Sequence, residues 1–370
     1  MEVAQAILAL AALIYAVSLL RIWYGLGLLR PGQVAARPPA TVLVAARNEE
    51  EGLGACLKSL VVQDYAGPFE IVVLNDRSTD ATGDIARSWA AREERVRVID
   101  ITPAADGTSP KKHALRTGLA DTSGDLVFVT DADCEVPPGW MSGLASHFDE
   151  DIGLVTGAVF LPEAPGVVQR MLNLDFAAYT YCSAGAMRTG WPLIATAMNL
   201  AYRRKAFEEA GGFGIHAKVL SGDDDLLLHA IVRRTPWRSA FAFGADTAVH
   251  THPVSSASEF MNQRMRWASK AFRYPPAMFV FLLATFALYA GLLVGLPLVA
   301  LGLAPAQVVV PAAILKVTAD TLVLIRGAAR FRQRLHPTVF LPAAILHLPY
   351  ILAASIGGTL GLFRWKGRKA

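Results

Sequence analysis

The sequence has little cysteine and little charge. Cys56, Cys134 and Cys182 are its three cysteines, an odd number without metal-type spacing, so we expect no disulfide framework, as is typical of a domain that faces a reducing cytosol. Only 18% of the residues are charged, whereas 53% are hydrophobic, which is too apolar for an ordinary soluble enzyme. The formal net charge of +4 gives no indication of a nucleic-acid partner. No internal repeat or long low-complexity segment is present.

Long apolar runs lie at the two ends of the chain, with most of the charge between them. The first run, residues 3–20, has no basic residue before it and no small-residue cleavage site after it, which is the reverse of a signal peptide. Arg21 and Arg30 follow this run, so we expect residues 1–30 to form a membrane anchor with its N-terminus outside. A buried core helix is the alternative interpretation.

Beyond residue 273 the chain becomes apolar again. Three further segments are predicted to contact the membrane, at residues 278–303, 308–325 and 339–363. Lys316 and Asp320 interrupt the second segment at a spacing of i,i+4, so they can pair or face a bundle interior. A basic tail follows the third segment. A simple span would place that tail outside, so the segment is either re-entrant or interfacial, or it is an exception to the positive-inside rule.

The charged middle of the chain alternates strand and helix signals. Short apolar runs predict four strands at residues 41–45, 71–74, 96–99 and 126–129. Asn48 is expected to cap the helix after the first strand, with Glu51 completing a capping box. The alternation favours a largely parallel sheet covered by helices on both faces, which binds its ligands at the carboxyl ends of the strands.

Polar clusters follow these strands. Asp131 and Asp133 come directly after the fourth strand, and two carboxylates at this spacing suffice for Mg²⁺ or Mn²⁺ together with substrate phosphates, although a solvated turn is the alternative for an isolated D-x-D. Asp76 follows the second strand, where its carboxylate can accept hydrogen bonds from a base or ribose. Lys111 and Lys112 supply cations for a diphosphate.

Two further motifs carry chemistry. The three adjacent carboxylates of Asp223, Asp224 and Asp225 open an apolar helical stretch and suit a general base, with stabilisation of the helix N-terminus as the alternative. Gln263, Arg266 and Trp267 share one helix face just before the membrane segments. A guanidinium there can clamp a diphosphate, and an indole can pack on a sugar or support the arginine; a juxtamembrane amphipathic helix is the alternative.

In this order the motifs resemble those of the family 2 inverting glycosyltransferases with a GT-A fold, specifically the membrane-bound group with a Q-x-x-R-W motif. The resemblance covers roughly residues 38–275. It implies an α/β, GT-A-type mixed-sheet domain at residues 31–273 on the cytoplasmic side. One N-terminal segment at 1–30 and about three C-terminal segments within 274–370 would flank it.

The resemblance also implies roles for individual residues. Asp224 would be the catalytic base, Asp225 its rival, and Asp223 stands where the family has glutamate. Asp131 and Asp133 would bind Mg²⁺ or Mn²⁺. The donor, a UDP-sugar by resemblance, would contact Glu49, Asp76, Lys111, Asp131, Gln263, Arg266 and Trp267. The acceptor side would include Asn199 and Tyr202.

The predicted function is metal-dependent, inverting transfer of a hexose to a lipid or lipid-linked acceptor at the cytoplasmic face of the cell membrane. One alternative is a processive polysaccharide or oligosaccharide synthase coupled to export, which the small number of membrane segments disfavours. A non-catalytic membrane scaffold or lipid transporter is the other, and the carboxylates at every motif argue against it. His250 and His252 are expected to be structural, and Cys134 is expected to be a packing residue.

Overall fold

The computed structural model describes residues 2–33, 37–104, 107–163, 165–254, 256–365 and 368–369. The helices are α1 (Glu2–Gly27), α2 (Leu53–Leu60), α3 (Thr82–Ala90), α4 (Pro110–Ala120), α5 (Trp140–Ala145), α6 (Val167–Arg188), α7 (Arg204–Glu209), α8 (Asp225–Arg234), α9 (Ala257–Ala268), α10 (Pro276–Ala300), α11 (Ala306–Phe331) and α12 (Phe340–Thr359). The strands are β1 (Ala40–Ala46), β2 (Phe69–Asn75), β3 (Val96–Asp100), β4 (Leu126–Asp131), β5 (Cys134–Glu135), β6 (Ile152–Gly157), β7 (Val159–Phe160), β8 (Leu200–Arg203), β9 (Arg238–Ala242), β10 (Val249–Thr251), β11 (Arg364–Trp365) and β12 (Arg368–Lys369).

The chain divides into two compact units. The first, here called the sheet unit, contains Leu29–Pro162 and Gly190–His252, and the second, called the hydrophobic unit, contains Met1–Leu28, Glu163–Thr189 and Pro253–Ala370. Parts of the predicted domain 31–273 therefore cluster with the apolar helices. The extent of the cytoplasmic domain stays a prediction.

A mixed sheet forms the core of the sheet unit. Its strand order over the described residues is β3-β2-β1-β4-β8-β6-β9, and β1 to β4 pair in parallel, whereas β8 runs antiparallel to β4 and β6. All four predicted strands are confirmed, each longer than predicted by up to three residues. Their apolar runs are continuous because β1, β2 and β4 are central and nearly all their residues are buried.

The predicted cap at Asn48 is wrong. α2 begins at Leu53, and Gly52 precedes it without a side-chain cap. Asn48 has a left-handed backbone conformation with φ of 54°, and its side-chain oxygen accepts a hydrogen bond from the Thr79 backbone N–H at 2.9 Å. The side chain therefore ties two loops together and is not available to begin the helix.

The hydrophobic unit contains four helical segments long and apolar enough to cross a membrane, among the described residues: Glu2–Gly27, Pro276–Ala300, Ala306–Phe331 and Pro337–Thr359. One N-terminal and three C-terminal segments are thus confirmed as candidate spans. How the last one lies in a membrane stays a prediction.

Glycines allow α1 and α6 to approach closely. A Cβ atom at Gly185 would lie 2.2 Å from the carbonyl oxygen of Ile22, and one at Gly25 would lie 1.9 Å from that of Gly185. Such close backbone approach through small residues is common where helices pack within membranes.

Candidate active site

The carboxyl ends of β1, β2 and β4 meet at one edge of the sheet, because the three strands are parallel. Asn75 at the end of β2 pairs with Ala46, and Asp131 at the end of β4 pairs with Ala45. The polar residues that follow these strands are therefore brought to one edge, where parallel sheets bind ligands.

Asp76 is held by arginines at this edge. Its carboxylate accepts a hydrogen bond from Arg77 Nε at 2.8 Å, and Arg47 Nη1 lies 3.7 Å from its second oxygen. Arg77 itself has a φ of 56°, in the left-handed region. The predicted acceptor for a base or ribose is thus a buried carboxylate whose direction is fixed by ion pairs.

The loop after β1 is fastened to the loop after β2. The Glu49 backbone N–H donates to Thr82 Oγ1 at 2.7 Å, and the Glu50 carboxylate accepts from the Ala81 N–H at 2.9 Å. Glu49 is partly exposed here, and its charge acts on Asp133. Beyond the ends of the strands, backbone N–H groups have no partner in the sheet, and these hydrogen bonds satisfy them.

Lys111 connects two of the predicted motifs directly. Its ammonium lies 2.7 Å from Asp131 Oδ1 and 3.0 Å from Asp223 Oδ2. Burial opposes the charged form of Lys111, but the two carboxylates outweigh burial and hold its pKa well above the usual range. The D-x-D at the end of β4 and the aspartate triplet at the start of α8 therefore share one cation.

Asp133 lies in an electronegative setting. Burial, followed by the charges of Asp131 and Glu49, raises the pKa of Asp133 to about 6. Gly52 lies against it, since a Cβ there would be 3.0 Å from the Asp133 Cα. No group of three or more His, Cys, Asp or Glu side chains that could hold a metal occurs within the part of the chain that the structure describes. Two clustered carboxylates, with substrate phosphates as further ligands, still fit a hard divalent cation.

The three aspartates at the start of α8 have different surroundings. Asp223 and Asp225 are buried, whereas Asp224 is partly exposed. Asp224 is the N-cap of α8, with one oxygen accepting from the Asp225 N–H at 2.7 Å and the other from the Ala197 N–H at 3.2 Å. Asp224 thus caps the helix N-terminus, which was the alternative role considered for the triplet. The same two hydrogen bonds also fix the direction of its partly exposed carboxylate.

Asn199 and Tyr202, predicted on the acceptor side, are fully buried. The Asn199 amide donates to the carbonyl oxygens of Ala158 and Thr247, both at 2.7 Å, and its oxygen accepts from the Trp140 indole at 2.9 Å. The Tyr202 ring stacks on Phe207. In this structure both side chains hold the interior together, so any influence on an acceptor would be indirect.

Lys112 is a residue whose role sequence reasoning missed. Its ammonium is buried and donates to the carbonyl oxygens of His216, Val219 and Ser221 at 2.8, 3.0 and 2.8 Å. It thereby holds the loop that leads into the aspartate triplet. The adjacent lysines in the sequence could have indicated this second role. Neighbouring residues of a helix point in different directions, so only one of the two lysines can face the carboxylates.

Gln263, Arg266 and Trp267 lie on α9, in the hydrophobic unit. The Trp267 ring packs edge-to-face against Tyr179 with 5.0 Å between centroids. The Arg264 guanidinium lies over its face, 4.4 Å from the ring centroid. The indole therefore packs against the guanidinium of Arg264, and its predicted support of Arg266 stays a prediction.

Three lesser candidates were His250, His252 and Cys134, and the structural role expected of the two histidines stays a prediction. His250 lies within β10, and His252 follows that strand; both are exposed. Cys134 is buried, and burial raises the pKa of its thiol well above the usual value, which disfavours a nucleophilic thiolate.

A mixed sheet with a D-x-D at the end of a central parallel strand and a second carboxylate motif linked to it by a lysine defines a GT-A glycosyltransferase. The sequence profile of Glycosyl transferase family 21 matches residues 3–369, and the chain belongs to this family. The predicted resemblance to a membrane-bound GT-A glycosyltransferase is confirmed, with family 21 where the motifs had indicated family 2.

Curated relatives are also glycosyltransferases by name. The chain is 32% identical over 197 residues to the probable glycosyltransferase YdaM of Bacillus subtilis, covering 52% of this chain and 46% of the relative. It is 26% identical over 239 residues to the beta-monoglucosyldiacylglycerol synthase of Synechocystis, covering 64% and 48%. The chain thus spans about half the length of these relatives.

A solved structure supports the fold. The mannosyltransferase PcManGT from Pyrobaculum calidifontis, in complex with GDP-Man and Mn²⁺, superposes with a TM-score of 0.65 at 23% sequence identity. The match covers 96% of this chain and 98% of that protein. At this identity the likeness establishes the shared fold.

Proposed function

We propose that this chain transfers a sugar from a nucleotide diphosphate sugar to a lipid acceptor at a membrane surface, with inversion at the anomeric carbon. The observation that carries the proposal is the Lys111 ammonium, which contacts both Asp131 and Asp223. A cation is thereby fixed between the carboxylates predicted to bind the donor and those predicted to activate the acceptor.

Asp224 has the properties expected of the general base. It is partly exposed, and the Asp225 and Ala197 N–H groups fix both of its oxygens. The acceptor oxygen attacks the anomeric carbon and passes its proton to Asp224 as the bond to the diphosphate oxygen breaks. A single displacement of this kind inverts the anomeric centre.

Charge on the leaving nucleoside diphosphate is the main electrostatic demand of the reaction. Lys111 is held in place before the reaction begins, so it stabilises that charge without reorganisation. Asp131 and Asp133 would hold Mg²⁺ or Mn²⁺. When bound, such an ion neutralises charge on the diphosphate. Glu49 and Asp76 remain predicted donor contacts, as do Gln263, Arg266 and Trp267, and UDP remains the predicted nucleotide.

Two observations support a lipid acceptor. The chain has four helical segments that could span a membrane within the described residues. One relative is named for a glycolipid, monoglucosyldiacylglycerol. A hydrophobic acceptor would remain in the same membrane as the enzyme.

Product analysis tests the proposal. The purified chain is incubated in lipid nanodiscs with a panel of UDP- and GDP-sugars and a lipid extract, and nucleoside diphosphate release is followed together with lipid masses. We expect one donor to give release coupled to a lipid that gains the mass of its sugar. Failure of every donor, with the protein shown to be folded, would contradict the proposed activity.

The orientation is tested by labelling. A Cys182→Ser background leaves the buried Cys56 and Cys134, and Glu94→Cys adds an exposed site in the sheet unit. Because arginines follow the first span, we expect a membrane-impermeant maleimide to label this cysteine only after permeabilisation. Labelling in intact cells would overturn the cytoplasmic placement.

A further inference from the structure

Asp175 on α6 lies at the centre of a polar network in the hydrophobic unit. One of its carboxylate oxygens accepts a hydrogen bond from Arg264 of α9, and the other accepts one from the hydroxyl of Tyr350 on α12. His347 Nε2, also on α12, lies 4.0 Å from that second oxygen. One carboxylate therefore joins three helices.

Arg264 is the second residue of the Q-x-x-R-W motif and is 3% exposed. Its guanidinium carbon lies 4.4 Å from the ring centroid of Trp267, 4.5 Å from that of Phe260 and 5.3 Å from that of Tyr179. A buried guanidinium is costly unless an anion compensates it, and aromatic faces add to its stabilisation. Asp175 supplies the anion.

Several residues of α9 contact the rest of the hydrophobic unit, among them Phe260, whose ring packs against that of Tyr350 with 5.2 Å between centroids. Arg264 is the single residue of α9 that is fully buried. The backbone of α9 lies directly against α12, because a Cβ at Gly358 would be 2.3 Å from the Met265 carbonyl oxygen. That contact sets how closely the two helices approach. The buried Arg264 side chain extends from α9 to Asp175, so it links α9 to α6 as well.

We propose that Asp175 is a positioning residue that fixes the orientation of α9 and of the Trp267 indole by holding Arg264. Arg264 and Trp267 are three residues apart and so lie on one side of the helix. The guanidinium held by Asp175 covers one face of the indole, while Tyr179, from the same helix as Asp175, packs against its edge. The consequence for donor binding rests on the proposed function.

The same carboxylate lies at one end of a longer series of polar contacts. Tyr289 Oη lies 3.1 Å from His347 Nδ1 and 3.1 Å from Tyr15 Oη, and the Tyr15 hydroxyl donates to Asp320 at 2.6 Å. Lys316 closes the series at 2.8 Å from Asp320. Polar side chains of α1, α10, α11 and α12 thus lie in one series of contacts that begins at the carboxylate holding Arg264.

Kinetics of Asp175→Asn test this role. Misorientation of α9 should raise the donor KM by about 5-fold or more, within the range of coupling between contacting residues. A mere loss of folded enzyme would lower the apparent kcat and leave KM unchanged. The control is Glu163→Gln, which removes an exposed ion pair with Arg334 in the same unit and should leave KM unchanged.

A double variant sharpens the kinetic test. If Asp175 acts through Arg264, then Asp175→Asn combined with Arg264→Gln should raise KM no further than the larger single change. Asp175→Glu, which keeps the charge, should restore most of the wild-type KM. Multiplied effects in the double variant would overturn the proposal.

Hydrogen exchange separates this inference from the proposed function. We expect Asp175→Asn to accelerate amide exchange in the peptide covering residues 257–268, and Glu163→Gln to leave it unchanged. If the wild-type chain transfers no sugar from any donor, the proposed function fails and exchange alone decides the role of Asp175. Unchanged exchange in α9, or an unchanged donor KM in an active enzyme, overturns it.

Discussion

Asp224 differs from its two neighbours in what surrounds its carboxylate. Asp223 contacts Lys111, Asp225 is buried, and Asp224 is partly exposed at the N-cap of α8. We expect Asp224→Asn to keep the cap, because its one amide oxygen can still accept from the Asp225 N–H, although the bond from the Ala197 N–H is lost. Transfer should fall by ~10²-fold or more. Donor binding, measured by calorimetry, should persist. An active Asp224→Asn beside an inactive but folded Asp225→Asn would move the base by one residue.

Asp133 carries the predicted metal dependence. Asp133→Ala should abolish turnover and leave thermal unfolding close to that of the wild type, because burial and the charges of Asp131 and Glu49 already disfavour the charged carboxylate in the folded chain. The measurement is transfer rate against added Mn²⁺ or Mg²⁺ for the variant and for the wild type. Asp84→Ala, an exposed carboxylate of the same unit, serves as the control. Full wild-type activity in excess chelator would contradict the assignment.

His147 predicts a pH dependence of stability. Its Nδ1 lies 2.9 Å from the Gly143 carbonyl oxygen, and Nε2 accepts from the Phe243 N–H at 3.1 Å, so the neutral ring suits both contacts. Burial lowers the pKa of His147 below its usual value. The unfolded chain therefore binds a proton more readily, and stability is lost as pH falls through about 6.5 and below.

Thermal unfolding between pH 8 and pH 5.5 checks this expectation. His147→Gln should lower the unfolding temperature at pH 8 and should reduce its further decline at acidic pH. His250→Gln, at an exposed site, should decline as the wild type does. An identical decline in His147→Gln and the wild type would show that His147 makes no contribution.

At the scale of elements, the buried parallel strands could be predicted from the sequence, whereas the short antiparallel strands could not. β1, β2 and β4 are buried along nearly their whole length, so each leaves a continuous apolar run in the sequence. β8 has four residues, too few for a period to show, and its antiparallel place between β4 and β6 depends on pairing across distant parts of the chain. The same limit applies to the site. The D-x-D is a local motif that can be recognised in the sequence. The contact of Asp175 with Arg264 joins residues that are far apart in the chain, and their spacing predicts nothing.

Lys316 and Asp320 of α11 lie 2.8 Å apart, confirming one of the two arrangements their spacing allowed. Lys316 is 2% exposed, so removing its charge leaves a carboxylate without its main partner. We expect Lys316→Met to cost about 3–5 kcal/mol, and Lys316→Met with Asp320→Leu to be close to neutral. Thermal unfolding in detergent measures both. Thr321→Ala removes a hydroxyl that donates to the Val317 carbonyl oxygen of its own helix at 2.7 Å, and it should change little. Equal losses in the single and double variants would contradict the expected cost of the unpaired charge.

At the scale of the whole molecule, the division into units follows contacts and not chain order. The sequence predicts that residues 163–189 and 253–273 belong to a continuous catalytic domain, because they contain polar residues and lie between the strand patterns and the apolar spans. In the structure they cluster with the apolar helices. A sequence pattern reports whether a helix is amphipathic, but the partner that buries its apolar side is set by tertiary packing.

The membrane helices also bear on how many sugars are added to one acceptor. A growing polysaccharide that crosses a bilayer needs a path lined with hydrogen-bonding groups. In the described parts of the four candidate spans, Tyr15, Tyr289, Lys316, Asp320 and His347 contact one another. Groups that satisfy each other in this way are poorly placed to line a sugar channel, so we expect one sugar to be added per acceptor.

Mass spectrometry of the products decides between single transfer and polymerisation. With nucleotide sugar in large excess and samples taken over hours, a single transferase gives one mass increment on the lipid, and the product peak grows without shifting. The pairing of the intramembrane polar groups predicts that outcome, because extension would require them to exchange their mutual contacts for sugar hydroxyls. A ladder of products that lengthens with time would mean that a sugar path forms despite these contacts. The processive synthase would then be the favoured function.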